Sequence, residues 1–156
     1  MSDKEQLKAL VEALLPAIRE VDPSKPDAAQ KLAARLPLGG PELSALRAAL
    51  RAAVESRAVA DRENDGVRFS RLRKAEAETD YSIDVVHMNK PALAHTHPRG
   101  EIDLCFAVDG DARFDAQPEG WTVYPPGSWH VPTVSGGAMD ILYFLPGGAI
   151  TFGPKA

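Results

Sequence analysis

The chain reads as a mainly β protein, a small barrel of jelly-roll type preceded by an α-helical N-terminal segment of three helices. Three observations predict this. Apolar residues recur at helical spacing up to about residue 60, the pattern turns to alternation around Asp61-Arg-Glu-Asn-Asp-Gly66, and beyond it short apolar stretches return between clusters of Gly, Pro and Asp. The boundary falls at that change, giving a helical segment over 1–62 and a barrel over 63–156.

Leu7, Leu10, Val11, Leu14, Leu15, Ile18 and Val21 form one face of the first helix. Ser2 with Glu5 has the reciprocal arrangement of a capping box, in which each side chain satisfies the other residue's free backbone N–H. Pro16 falls inside this run and predicts a kink, because it has no N–H and its ring crowds the preceding turn. A second helix is expected from Asp27 to Leu36, entered through Ser24-Lys25-Pro26 and stopped by Pro37-Leu-Gly-Gly-Pro41. The third, from Glu42 to about Arg57, puts Leu43, Leu46, Leu50, Ala53 and Val54 on one side and Arg47, Arg51 and Glu55 on the other, expected as solvated charge. Val67-Arg-Phe-Ser-Arg-Leu72 and Tyr81-Ser-Ile-Asp-Val-Val-His-Met88 predict strands. The helices hold too little apolar surface for a core of their own, so they are expected to cover the barrel or a second subunit.

The chemistry concentrates in His95-Thr-His-Pro-Arg-Gly-Glu101 and Pro125-Pro-Gly-Ser-Trp-His130. On an extended strand His95 and His97 project from one face, and Glu101 has the same parity across the turn at Pro98-Arg99-Gly100. His130 follows a Pro125-x-Gly127 turn that ends a connection and starts a new strand. Three neutral imidazoles and a carboxylate suit one divalent transition metal, Fe, Mn, Zn, Ni or Cu, and ligand type alone does not choose among them.

These residues resemble the two motifs of the cupin superfamily, G-x5-H-x-H-x3,4-E-x6-G and G-x5-P-x-G-x2-H-x3-N. His95, His97 and Glu101 match the core of the first, and Pro125, Gly127 and His130 that of the second. The edges depart: Asn89 stands for the leading Gly, Gly110 follows Glu101 at a longer interval, Gly120 precedes Pro125 at a shorter one, and Val134 replaces the closing Asn. Asn tolerates a left-handed backbone nearly as Gly does. Over a longer span, Gly100 to Phe114, Gly120 to Thr133 and Ile141 to Ile150 resemble the 4-hydroxylaminobenzoate lyase family of nitroaromatic-degrading bacteria, which joins a helical N-terminal segment to a cupin barrel. The resemblance implies conversion of 4-hydroxylaminobenzoate to 3,4-dihydroxybenzoate with release of ammonia.

Other residues are weighed against that expectation. His87 shares parity with Tyr81, Ile83 and Val85, and is either a proton carrier facing the barrel interior or a hydrogen-bonded core histidine. Asp103 and Cys105 have the parity of Glu101; Cys105 reads as a small buried apolar residue, whereas an inward Asp103 needs a partner or a catalytic use. A small aromatic carboxylate calls for an arginine, whose planar fork matches it. Arg99, in the turn between ligands, is the first candidate, with Arg113 second and Arg71 third. Trp121, Tyr124, Trp129, Tyr143 and Phe144 are candidates for a ring-stacking wall, with Trp129 favoured beside His130.

Composition narrows the functional classes. With 156 residues, 44% of them hydrophobic, the chain can bury a sizeable core as one domain with an appendage. A net charge of −4 and the lack of a basic tract argue against nucleic-acid or anionic-membrane partners. The opening Met-Ser-Asp-Lys-Glu-Gln has no signal-peptide character and no apolar run approaches a membrane span, so a cytoplasmic place is expected. The single cysteine, Cys105, agrees with a reducing compartment. A homodimer is expected because small barrels with exposed sheet edges pair. Two rival readings use the same motifs, an Fe(II)-dependent dioxygenase of a small aromatic or thiol substrate and a non-catalytic ligand-binding cupin.

Overall fold

The computed structural model describes residues 1–155. Among them the helical segment comprises α1 (Asp3–Glu12), α2 (Leu15–Arg19), α3 (Ala28–Arg35) and α4 (Pro41–Glu55). The first two are the expected first helix, divided at Ala13 and Leu14 because Pro16 cannot donate to the carbonyl of Glu12. The capping box forms: Glu5 N donates to Ser2 Oγ at 3.1 Å and Ser2 N to Glu5 Oε2 at 3.2 Å.

The remainder is β structure: β1 (Arg62–Asn64), β2 (Val67–Arg73), β3 (Tyr81–Met88), β4 (His95–His97), β5 (Glu101–Ala107), β6 (Arg113–Phe114), β7 (Gly120–Tyr124), β8 (Ser128–His130), β9 (Val134–Ser135), β10 (Met139–Pro146) and β11 (Thr151–Phe152). An antiparallel sheet of order β1-β2-β3-β10-β5-β7 faces two smaller ones, β11-β4-β8 and β6-β9. This is a jelly roll of cupin type, closed by short strands on the side away from the helices.

Strand alternation assigns each side chain of the large sheet to one of two cores. Ile83, Val85, Ile102, Leu104, Phe106, Leu142 and Phe144 pack with Leu7, Leu43, Leu46 and Leu50 of the helices. Val86, Met88, Cys105, Ile141 and Tyr143 face the other way and meet Phe114 and Val134 inside the barrel. Because β5 and β10 are covered on both faces, their sequences read as nearly unbroken apolar runs.

The helix α4 is held by charge as well as by leucines. Arg47 donates to Glu119 at 2.7 Å and to the carbonyl of Ala107 at 3.2 Å, and lies over the Phe106 ring; Arg51 pairs with Asp140 at 3.4 Å. The expectation that these arginines are solvated charge is therefore corrected. Their long stems let the guanidinium groups reach sheet carboxylates beside the apolar seam.

Candidate metal centre

His95 and His97 lie on β4 and His130 on β8, with His95 directly opposite His130 and His97 opposite Ser128. Glu101 opens β5 after a turn at Gly100, whose φ is +94°. A Cβ at Gly100 would stand 3.0 Å from the carbonyl oxygen of Tyr124, so this turn needs glycine for both its backbone angle and the close approach. The result is that one ligand atom from each of His95, His97, Glu101 and His130 lies within 4.8 Å of the others.

Outward hydrogen bonds orient all three rings. His95 Nδ1 donates to the carbonyl of Leu93 at 3.3 Å, His97 Nδ1 to Ser128 Oγ at 2.9 Å, and His130 Nδ1 to Asp115 Oδ2 at 2.6 Å. Ser128 Oγ is an acceptor here because its own proton goes to the carbonyl of Pro125 at 2.6 Å. With each Nδ1 protonated, the neutral rings turn three Nε2 lone pairs inward. His95 and His97 Nε2 are 2.7 Å apart, and His130 Nε2 is 3.1 Å from His95 Nε2. Glu101 adds its oxygens at 3.1 Å from His97 and 3.4 Å from His95, and both are buried without a conventional hydrogen-bond donor. Lone pairs and a carboxylate crowded without donors repel one another unless a cation lies between them. This donor set therefore fits a divalent transition ion.

The surrounding charges follow from burial. Burial opposes the charge of Glu101, and it is a proton or a cation shared with the His95 and His97 Nε2 atoms that holds its carboxyl below the usual range. Asp103, wholly buried on the same face, is pushed well above the usual range by burial and then by the charge of Glu101, and neither oxygen has a conventional partner. Burial and the neighbouring Glu101 thus both disfavour a second charge on Asp103. Asp115 is opposed by burial but held low by His130, Tyr124 and the N–H of Thr133, which donates to it at 2.9 Å. Tyr124, also hydrogen-bonded to Asp115, stacks on His97 with ring centres 5.3 Å apart.

A cavity of about 480 Å³ opens beside His95, walled by Val67, Phe69, Val86, Leu93, Phe152 and Tyr143. The Tyr143 ring centre is 6.3 Å from that of His95, and burial keeps its phenol protonated far above the ordinary range.

Several expected site residues lie elsewhere. His87 is corrected: Tyr81, Ile83 and Val85 face the helices, and His87 goes with them, bonding Asp140 at 2.7 Å on the opposite face of the sheet. Arg99 is exposed, its guanidinium against Gly147, and Arg113 pairs with Asp111 at 3.5 Å; neither lines the cavity. Trp129, adjacent in sequence to His130, points to the other side of β8, where its Nε1 donates to the carbonyl of Gly153 at 3.0 Å. Trp121 and Phe144 belong to the helix-side core. Asp115 and Ser128 escaped the sequence reading. Ser128 carries a legible sign, since it lies two residues before His130 on one strand face, whereas Asp115 sits in a turn at φ +48° that no spacing announces.

Residues 9–152 match a family model described as 4-hydroxylaminobenzoate lyase (PnbB). The chain belongs to the 4-hydroxylaminobenzoate lyase family. It is 37% identical over 102 residues to a 4-hydroxylaminobenzoate lyase of Nocardioides sp. (strain LMS-CY), covering 58% of this chain and 60% of that protein. It is 35% identical over 102 residues to one of Pseudomonas putida, covering 54% of this chain and 58% of that protein. The chain thus spans about three fifths of the length of these curated relatives. Among solved structures it is similar to an RmlC-like cupin protein of Ralstonia eutropha JMP134, with a TM-score of 0.42, 11% identity, and coverage of 57% of this chain and 60% of that one.

Proposed function

We propose that this member of the lyase family converts 4-hydroxylaminobenzoate to 3,4-dihydroxybenzoate, taking up one water and releasing ammonia in a metal-dependent reaction. The observation that carries the reading is that the cluster of three imidazoles and one carboxylate adjoins a largely apolar cavity of about 480 Å³, roomy enough for a substituted ring, in a chain of this family. His95, His97, Glu101 and His130 would hold one divalent ion. When bound, such an ion supplies Lewis acidity that eases departure of the N-hydroxyl oxygen. Substrate plus water equals product plus ammonia, so neither oxygen nor a nicotinamide is consumed.

The chain's own groups account for the rest. Val67, Phe69, Val86 and Phe152 strip water from the ring, and Tyr143, a phenol at neutral pH, offers a hydrogen bond on the His95 side of the cavity. Burial and Glu101 raise the Asp103 carboxyl, which favours Glu101 as the charged member of the ligand set.

Purified protein of known metal content, incubated with 4-hydroxylaminobenzoate without oxygen, should release ammonia and 3,4-dihydroxybenzoate in equal amounts, and lose both after metal stripping. Product formed only when oxygen is admitted would replace this reading with the dioxygenase. Turnover that survives stripping would end the Lewis-acid role.

A further inference from the structure

The large sheet carries a polar rung across its barrel-side face. Pairing places Arg71 of β2 opposite Asp84 of β3, Asp84 opposite Tyr143 of β10, and Tyr143 opposite Asp103 of β5. With strands about 4.8 Å apart, the Arg71 backbone lies roughly 10 Å from that of Tyr143, on the side away from Asp103. Arg71, Asp84 and Tyr143 all line the cavity that reaches His95.

Local structure singles out Arg71 among the arginines of β2. Arg68 turns to the helical side and donates to the carbonyls of Ala60 and Val54. Arg73 has the strand parity of Arg71, but a register shift between them sends it to the helical side as well, where it pairs with Asp80 at 2.8 Å and Glu12 at 3.1 Å. Arg71 alone of the three stays on the cavity face. Asp84 grips it through Nε at 2.7 Å and Nη2 at 3.1 Å. That grip uses one edge of the guanidinium and leaves Nη1 with the second Nη2 proton, the edge that takes a carboxylate in two parallel hydrogen bonds. The other cavity arginine, Arg62 on the edge strand β1, has no ion-pair partner among the described residues and so nothing to orient it.

We infer that Arg71, oriented by Asp84, is the receptor for the carboxylate of an aromatic acid whose ring lies against Tyr143 and whose para substituent points to His95. The inference rests on the lyase reading for the identity of the substrate. It assigns the selectivity for an acid to one side chain. In a para-substituted benzoate the two functional ends lie across the ring, and Arg71 and His95 line one cavity together with Tyr143.

The test measures binding and turnover on the metal-loaded protein. Benzoate and benzamide have the same ring and differ in charge, and their affinities are read by calorimetry for wild type, Arg71→Ala, Arg71→Lys and Arg62→Ala. Wild type should prefer benzoate. Arg71→Ala should weaken benzoate at least tenfold and benzamide less than twofold, while Arg71→Lys, which keeps charge without the fork, should fall between and guard against misfolding. With 4-hydroxylaminobenzoate the loss should appear in KM more than in kcat, as expected when a contact is made equally before and during reaction. Benzoate affinity unchanged in both Arg71 variants, or lost in Arg62→Ala instead, overturns the proposal. Wild-type protein that releases no ammonia yet shows the Arg71-dependent preference overturns the lyase reading and leaves the anchor standing.

Discussion

Each histidine of the candidate centre owes its usefulness to a partner on its far nitrogen. Asp115 is the strongest of these because it is charged, and the resulting His130–Asp115 bond raises ring basicity as well as fixing its orientation. Asp115→Asn should therefore weaken metal binding by about ten- to a hundredfold, read by titration against a competing chelator, with the fold retained. Asp80 ties the helical segment to the sheet. Its carboxylate joins Arg19 at 2.9 Å, Arg73 at 2.8 Å and the N–H of Glu76 at 2.9 Å, and although burial opposes its charge, these bonds hold its pKa below the usual carboxylate range. A depressed carboxyl contributes stability that is fully present above its unfolded value near 3.9 and is lost as pH falls toward the folded value. Asp80→Asn should cost about 3 kcal/mol in urea unfolding at pH 7 and flatten the acid limb below about pH 4.

Two elements decide whether the centre assembles. The turn before β5 is one: Gly100→Ala puts a methyl against the Tyr124 carbonyl at a left-handed φ, so it should displace Glu101 and lower bound metal per chain without unfolding the barrel. The other is α4, whose leucines are wholly buried against the sheet that carries Glu101 on its reverse face. Leu50→Ala should cost about 3 kcal/mol, seen as a lower midpoint of a single unfolding transition. A separate early transition for the helices would contradict the shared core.

Over the whole molecule, the helices and the barrel stand on opposite faces of one sheet. One face supplies stability from leucines, and the other can hold inward lone pairs and an unpartnered acid at a cost the first offsets. Adding a divalent ion should relieve that cost. Stripped protein should melt at a lower temperature than loaded protein, and the difference should grow with the logarithm of free metal, as binding to the folded state alone requires.

Periodicity and spacing made much of this legible from the chain. Leu43, Leu46 and Leu50 announced α4, Pro16 announced the break before α2, and the same-face arrangement of His95, His97 and Glu101 follows from the two-residue repeat of a strand. Such features depend on neighbours within a few residues, and backbone geometry alone dictates them. Facing direction was another matter. That Tyr81, Ile83, Val85 and His87 look toward the helices, that a register shift turns Arg73 away from Arg71, and that Asp115 reaches back to His130 depend on which sheet face meets which layer. Alternation states which residues share a face and never which face is inward, so only the packing of helices on one side and small strands on the other chose between them.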